Sequence, residues 1–123
     1  MDFTIKTDSE EDRLRKAFRT KVPGFHAKVE EKGKIYEVKD LSASGFAVGD
    51  PKKTLKEGDQ TTVTFYLNKK VFLTGVASEV VRVLDHGIVG FNFLELERRQ
   101  SMKLDKLVLE IQKRLIALRK QQD

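Results

Sequence analysis

From Phe25 to Leu94 the chain is cut into short apolar segments by turn residues, and after Leu96 its hydrophobic period becomes that of a helix. Residues alternating every second position line one face of a strand, while spacing near 3.6 lines one face of a helix, so this switch sets the architecture. Phe25–Glu31 and Lys34–Leu41 flank a Glu-Lys-Gly-Lys turn around Gly33 and predict a hairpin. Ser44–Val48 is a short apolar strand closed by Gly49, Asp50 and Pro51, and a charged loop with Gly58 and Asp59 follows. Val63, Phe65 and Leu67 alternate with Thr62, Thr64 and Tyr66, the pattern of a half-buried strand ending at an Asn68-Lys69 turn. Lys70–Leu84 is long and rich in β-branched residues, but Val71 and Leu73 lie on one parity and Val76 on the other. That slip predicts a bulge or bend near Gly75. Asp85-His86-Gly87 reads as a turn into a last strand carrying Val89, Phe91 and Phe93. Six short antiparallel strands with this punctuation fit a small barrel or a sandwich. Leu104, Val108, Ile111, Leu115 and Leu118 then follow 4-3-4-3 spacing, broadened by Leu107, Leu109 and Ile116. This predicts one amphipathic helix packed on the barrel or covering its end, with a distal part that could reach a second copy. Fewer than four heptads do not by themselves specify a coiled coil.

The 123 residues suit one domain with a core that needs no metal or disulfide staple. The absence of cysteine excludes a disulfide framework, a thiolate nucleophile, a zinc finger and an iron–sulfur site. No apolar run approaches the roughly 18 residues of a membrane-spanning helix. The N-terminus, MDFTIKTDSEED, is acidic where a signal peptide is basic and then apolar, so a cytoplasmic protein is expected. The net charge of +5 is unevenly spread. Residues 1–12 carry one lysine against five acids, and residues 13–21 carry five cations and no acid. Residues 22–96 balance ten cations with ten acids, and residues 97–123 hold eight cations against four acids. A polynucleotide-binding surface distributes cations over many phosphates, whereas this chain concentrates them on an arm and a tail, which suits a small phosphate-bearing ligand better.

Two motifs carry chemistry. Arg15-Lys16-Ala17-Phe18-Arg19 is an R-x-x-x-R on the arm leading into the first strand. Asp40-Leu41-Ser42-Ala43-Ser44-Gly45 is a D-x-S-x-x-G at the end of the second. By chance this composition yields about 0.5 of the first and about 0.03 of the second, counting Asn as an alternative to Asp. In this order around a six-strand pattern, they make the chain resemble the PilZ domain family over roughly residues 13–118. The Gly-Ile-Val-Gly-Phe-Asn-Phe run (Gly87–Phe93) is similar to that family's last barrel strand. The resemblance implies a mainly β fold, a six-stranded antiparallel PilZ-like split barrel with a C-terminal α-helix. It divides the domain into an arm over 1–21, a barrel over 22–96 and a helix over 97–123. It also implies a receptor for the second messenger cyclic di-GMP, with Arg15, Arg19, Asp40, Ser42 and Gly45 at the ligand and Leu14 and Lys16 beside it. In the family, arginine at the position of Leu14 goes with a stacked pair of ligands, so leucine favours one ligand per protomer. Arg13, one residue further out, leaves that open.

The residue chemistry agrees with such a ligand. Arginine forks match a phosphate or the O6/N7 edge of guanine in a way lysine cannot. Asp40 and Ser42, two apart on a strand, are expected on one face with Leu41 inward, the carboxylate accepting from guanine N1 and N2. Gly45 is expected to let backbone approach a flat ligand. The alternative for the arm is a short helix through Arg19 opened by Ser9 and Asp12, in which Glu11 pairs with Arg15 and Asp12 with Lys16. The alternative for Asp40–Gly45 is a strand end closed by a Ser- or Asx-stabilised turn. His26 and His86 read as surface and turn residues, the phenylalanines as core, and no residues assemble a nucleophile, a base or a metal site. The expected protein is therefore a non-enzymatic receptor without cofactor or metal. It would pass ligand occupancy to a protein target by ordering its arginine arm, with homodimerisation through the helix as an option. The rival readings are a PilZ-like scaffold that binds no nucleotide and a small basic barrel for single-stranded nucleic acid. Motility, exopolysaccharide synthesis, virulence and pili are the processes such proteins act on, and no residue here chooses among them.

Overall fold

A computed structural model describes residues 19–122, with side chains as far as residue 115. Six strands, β1 (Phe25–Val29), β2 (Lys34–Leu41), β3 (Gly45–Gly49), β4 (Gln60–Leu67), β5 (Lys70–Val83) and β6 (Ile88–Phe93), precede a helix, α1 (Arg98–Gln122). The strands close into a barrel in the order β1-β2-β3-β6-β5-β4, every pairing antiparallel. The barrel-or-sandwich choice left open by strand periodicity is resolved by closure, since β1 pairs with both β2 and β4 and no edge remains.

The punctuation works as read. Gly33 turns β1 into β2 at φ +65°, and Asn68 and Lys69 turn β4 into β5 with φ of +51° and +70°. Asp85-His86-Gly87 joins β5 to β6, with Leu84 N–H donating to Ile88 O at 2.9 Å. The parity slip in β5 is a bulge. Val63 pairs with Val76 and Phe65 with Leu73, so two residues, Thr74 and Gly75, oppose Thr64, and Gly75 takes φ +66°. A second irregularity was not foreseen. Phe65 pairs with Leu73 but Tyr66 with Val71, which turns Val71 to solvent, 58% exposed, although its parity is that of buried Leu73.

Phenylalanines fill the barrel. Phe25 stacks on Phe65 with centroids 5.0 Å apart, Phe46 stacks on Phe91 at 4.6 Å, and Phe46 meets Phe65 edge-on at 4.9 Å. Helix α1 closes onto this core through Leu104, Leu107 and Val108, with Ile111 half-buried beside them. Its start is fixed by buried Gln100, which accepts from Glu97 N–H at 3.0 Å, the reciprocal half of a capping box. The same side chain donates to Thr74 O at 2.9 Å and Gly75 O at 3.3 Å, tying the helix to carbonyls freed by the β5 bulge. Leu115 emerges from the contact and is 45% exposed. No helix among the described residues is long and apolar enough to cross a membrane.

Two features make measurable demands. At Gly45, where β3 begins against β6, an added Cβ would overlap Phe91 O and lie 3.1 Å from Asn92 Cα, both backbone atoms. Gly45→Ala is expected to cost roughly 1–3 kcal/mol through strand displacement, read as a fall of several degrees in Tm. An unchanged melt would mean β3 and β6 are further apart than described. Glu31 at the β1–β2 turn accepts from the Thr61 hydroxyl and from Thr62 N–H at 3.0 and 3.1 Å. The Thr61 bond is the main reason its carboxyl sits below the usual 4.5. A carboxyl depressed in the folded state stabilises the fold above its unfolded pKa, and that contribution vanishes as pH falls through the folded value. Thermal melts of Glu31→Gln should therefore trail the parent at neutral pH and converge with it as pH drops past 4.5; a gap independent of pH would assign the effect to lost packing.

Candidate functional site

Asp40 owes its direction to a bulge. Along β2 the buried residues are Tyr36 and Val38, and strict alternation would send Asp40 into the barrel next. The register shifts between Val38 and Asp40, however: Val38 pairs with Val48 and Asp40 with the adjacent Ala47. Lys39 is the extra residue, Asp40 turns outward, and Leu41 becomes the next inward side chain, fully buried against the core.

Arg19 is held beside it by backbone. Thr20 N–H donates to Leu41 O at 2.9 Å and Leu41 N–H to Thr20 O at 2.8 Å, so the end of the arm runs alongside β2. Arg19 itself lies in neither a helix nor a strand. Its Nε and Nη2 both donate to Asp40 Oδ1, at 2.9 and 2.5 Å, in an ion pair with both partners partly open to water. Because both donors converge on Oδ1, Asp40 Oδ2 has no partner among the described residues. Arg15, with Leu14 and Lys16, lies outside the described residues, as does the capped helix considered for the arm.

The rest of the second motif takes a different position from the one expected. Ser42 does not share a face with Asp40. It lies past the end of β2, is fully buried, and uses its hydroxyl within the turn: Oγ donates to Gly45 O at 3.2 Å and accepts from Ser44 N–H at 3.3 Å. Ser42 N–H also donates to Gly45 O, at 2.9 Å. The turn-stabilising alternative thus describes Ser42. Gly45 likewise is required by the close approach of β6 described above. Strand alternation misplaced Ser42 because the strand stops at Leu41, where the chain must turn back into β3.

Arg19 and Asp40 line an open groove of about 480 Å³ on the outer barrel wall, within the range of small-molecule sites. Ala47, Gly90 and Asn92 also line it, with Arg82 of β5 and the apolar Val81 and Ile88. Arg82 and Asn92 were missed by motif reading. One signal was available for Arg82: of the ten cations between residues 22 and 96 it is the single arginine. The arrangement offers a guanidinium fork, a carboxylate whose Oδ2 has no partner among the described residues, a second guanidinium and a floor of small residues, which suits a flat ligand bearing both phosphate and hydrogen-bond donors. Among the described residues no group of His, Asp and Glu is placed to hold a metal ion.

No curated protein matches the chain. Among solved structures, YcgR from Escherichia coli in complex with c-di-GMP matches with TM-score 0.70 and 15% identity, covering 86% of this chain and 49% of that one. The PilZ domain of YcgR with c-di-GMP, also from Escherichia coli, matches with TM-score 0.60 and 13% identity, covering 80% and 91%. The PilZ domain of CeSA from a cellulose-synthesizing bacterium matches with TM-score 0.56 and 16% identity, covering 78% and 99%. At these identities the likeness is one of fold. The family model for the PilZ domain matches residues 13–110, which takes in both motifs, all six strands and the docked half of the helix, and the chain belongs to the PilZ domain family.

Proposed function

We propose that this protein is a receptor for cyclic di-GMP that binds the nucleotide between its N-terminal arm and the groove on the barrel wall. The observation that carries the reading is the Arg19–Asp40 pair at the groove's edge, in a chain that holds both the R-x-x-x-R and the D-x-S-x-x-G patterns. YcgR, whose fold this chain shares, forms a complex with c-di-GMP, which supports the ligand. Arg19 and Arg15 would grip phosphate or the guanine O6/N7 edge, with Leu14 and Lys16 flanking them. Asp40 Oδ2 would accept from guanine N1–H and N2–H. Ser42 and Gly45 serve from behind, fixing the turn that sets the end of β2. An exposed ion pair contributes only about 0–1 kcal/mol, while each hydrogen bond to a charged group is worth roughly 1.5–3 kcal/mol. Ligand contacts therefore outweigh the Arg19–Asp40 pair wherever they compete with it.

In this reading residues 1–21 act as the moving part, 22–96 as the platform and 97–123 as a surface for a protein target or a second copy. The protein is a cytoplasmic binding module rather than an enzyme, and occupancy is passed on when the arm orders over the ligand. Isothermal titration with cyclic di-GMP should give saturable binding near one ligand per protomer, with GMP and cyclic di-AMP competing poorly. Absence of heat and of thermal shift at high ligand concentration would leave a PilZ scaffold that binds no nucleotide. Arg15→Ala and Arg19→Ala should each abolish or severely weaken binding with the melt unchanged, and Asp40→Ala should narrow the preference for cyclic di-GMP over cyclic di-AMP. Wild-type affinity in either arginine variant would remove the arm from the site. Amide exchange over residues 9–21 should slow on ligand addition, and unchanged exchange would refute the ordering of the arm.

A further inference from the structure

The groove has a far wall that the family's motifs do not name. Asp40 pairs with Ala47, Ala47 with Gly90, and Gly90 with Arg82, so these four residues form one row across β2, β3, β6 and β5. Neighbouring strands are about 4.8 Å apart, which puts the two charged ends about 14 Å apart along the sheet. Between them stand only a methyl group and a hydrogen.

Both ends of the row are set outward by the same device. In β5, Val76, Ser78 and Val80 are buried, and strict alternation would bury Arg82 next. The register shifts between Val80 and Arg82, leaving Val81 as the extra residue and turning Arg82 to the outer wall. This is the counterpart of the Val38–Asp40 shift at the opposite end. The floor is also more open than the fold requires. A Cβ on Gly90 would meet nothing closer than Arg82 Cβ at 3.7 Å, an ordinary contact, whereas one on Gly45 would strike backbone. All the other cations of residues 22–96 are lysines, so a planar fork occurs in the barrel only here.

We infer that Arg82 is a ligand-binding residue that holds the distal end of the nucleotide, while Arg19 and Asp40 hold the proximal end across the Ala47–Gly90 floor. The inference rests on the cyclic di-GMP reading and adds to it a second, strand-mounted guanidinium that does not depend on the arm. A dinucleotide with a phosphate and a guanine at each end can engage both walls at once; a mononucleotide cannot.

The test is titration of five proteins with cyclic di-GMP: the parent, Arg82→Ala, Arg82→Lys, Gly90→Val, and Arg98→Ala on the helix as an equal loss of charge away from the groove. Arg82→Ala should weaken binding about ten- to a hundredfold. Arg82→Lys should recover little of it, because an ammonium lacks the fork. Gly90→Val, whose side chain would stand on the floor of a strand that accepts β-branched residues, should weaken binding with its melt retained. Arg98→Ala should bind as the parent does. If the parent binds and Arg82→Ala equals it or equals Arg98→Ala, the distal contact is refuted and the receptor reading stands. If the parent itself does not bind, the receptor reading fails and the distal contact with it.

Discussion

A closed barrel imposes one condition on every strand: alternate side chains enter the core, with no edge at which the pattern can relax. Here the core is a column of stacked and edge-on phenylalanines with valines between them, packed densely enough that no ionised group could share it. Asp40 and Arg82 both fall on the inward parity of their strands. Burying either charge without a partner would cost several kcal/mol, whereas a bulge gives up about one ladder hydrogen bond, worth roughly 1 kcal/mol net. The chain takes the less costly course at both places. As a result, two charged side chains stand on the outer wall, at opposite ends of a row of small residues.

The same economy links the site to the helix. The bulge at Gly75 frees the carbonyls of Thr74 and Gly75, and Gln100 satisfies them while capping α1. Barrel irregularity thus does two jobs, aiming polar side chains outward on one wall and offering hydrogen-bond acceptors to the helix on another. Between them lies a rigid platform whose groove geometry is set by backbone pairing. Arg19 differs in kind, because its position depends on two backbone hydrogen bonds to Leu41 and one partly solvated ion pair. Arg82, by contrast, is mounted on a strand of the closed sheet.

Much of this was legible from the residues alone. Alternation and turn residues located all six strands to within a few positions, and the change of period after Leu96 located the helix. The slip at Gly75 was visible because three large apolar side chains straddle it. Asp40 was found because it belongs to a motif, but its outward aim was derived from simple alternation across Leu41. That argument reached the right face for Asp40 and the wrong one for Ser42, because it took the strand to run on where the chain in fact turns. Gly45, expected at the ligand, is in addition required by the approach of a neighbouring strand. Val71 shares the parity of buried Leu73 and is nonetheless exposed, owing to a register shift that leaves no trace in hydrophobicity.

What the sequence determined by itself is whatever depends on neighbours in the chain: strand and helix period, turn positions, the neutral barrel segment between two basic ones, and the two motifs. What only the tertiary structure decided is whatever depends on register. Barrel closure, the bulges at Asp40 and Arg82, the Ser42 turn and the Asp40–Ala47–Gly90–Arg82 row all arise from pairing between strands distant in sequence. A shift of one residue in such a pairing reverses every side chain beyond it, and that choice is made by the packing of the whole barrel rather than by any local run of residues.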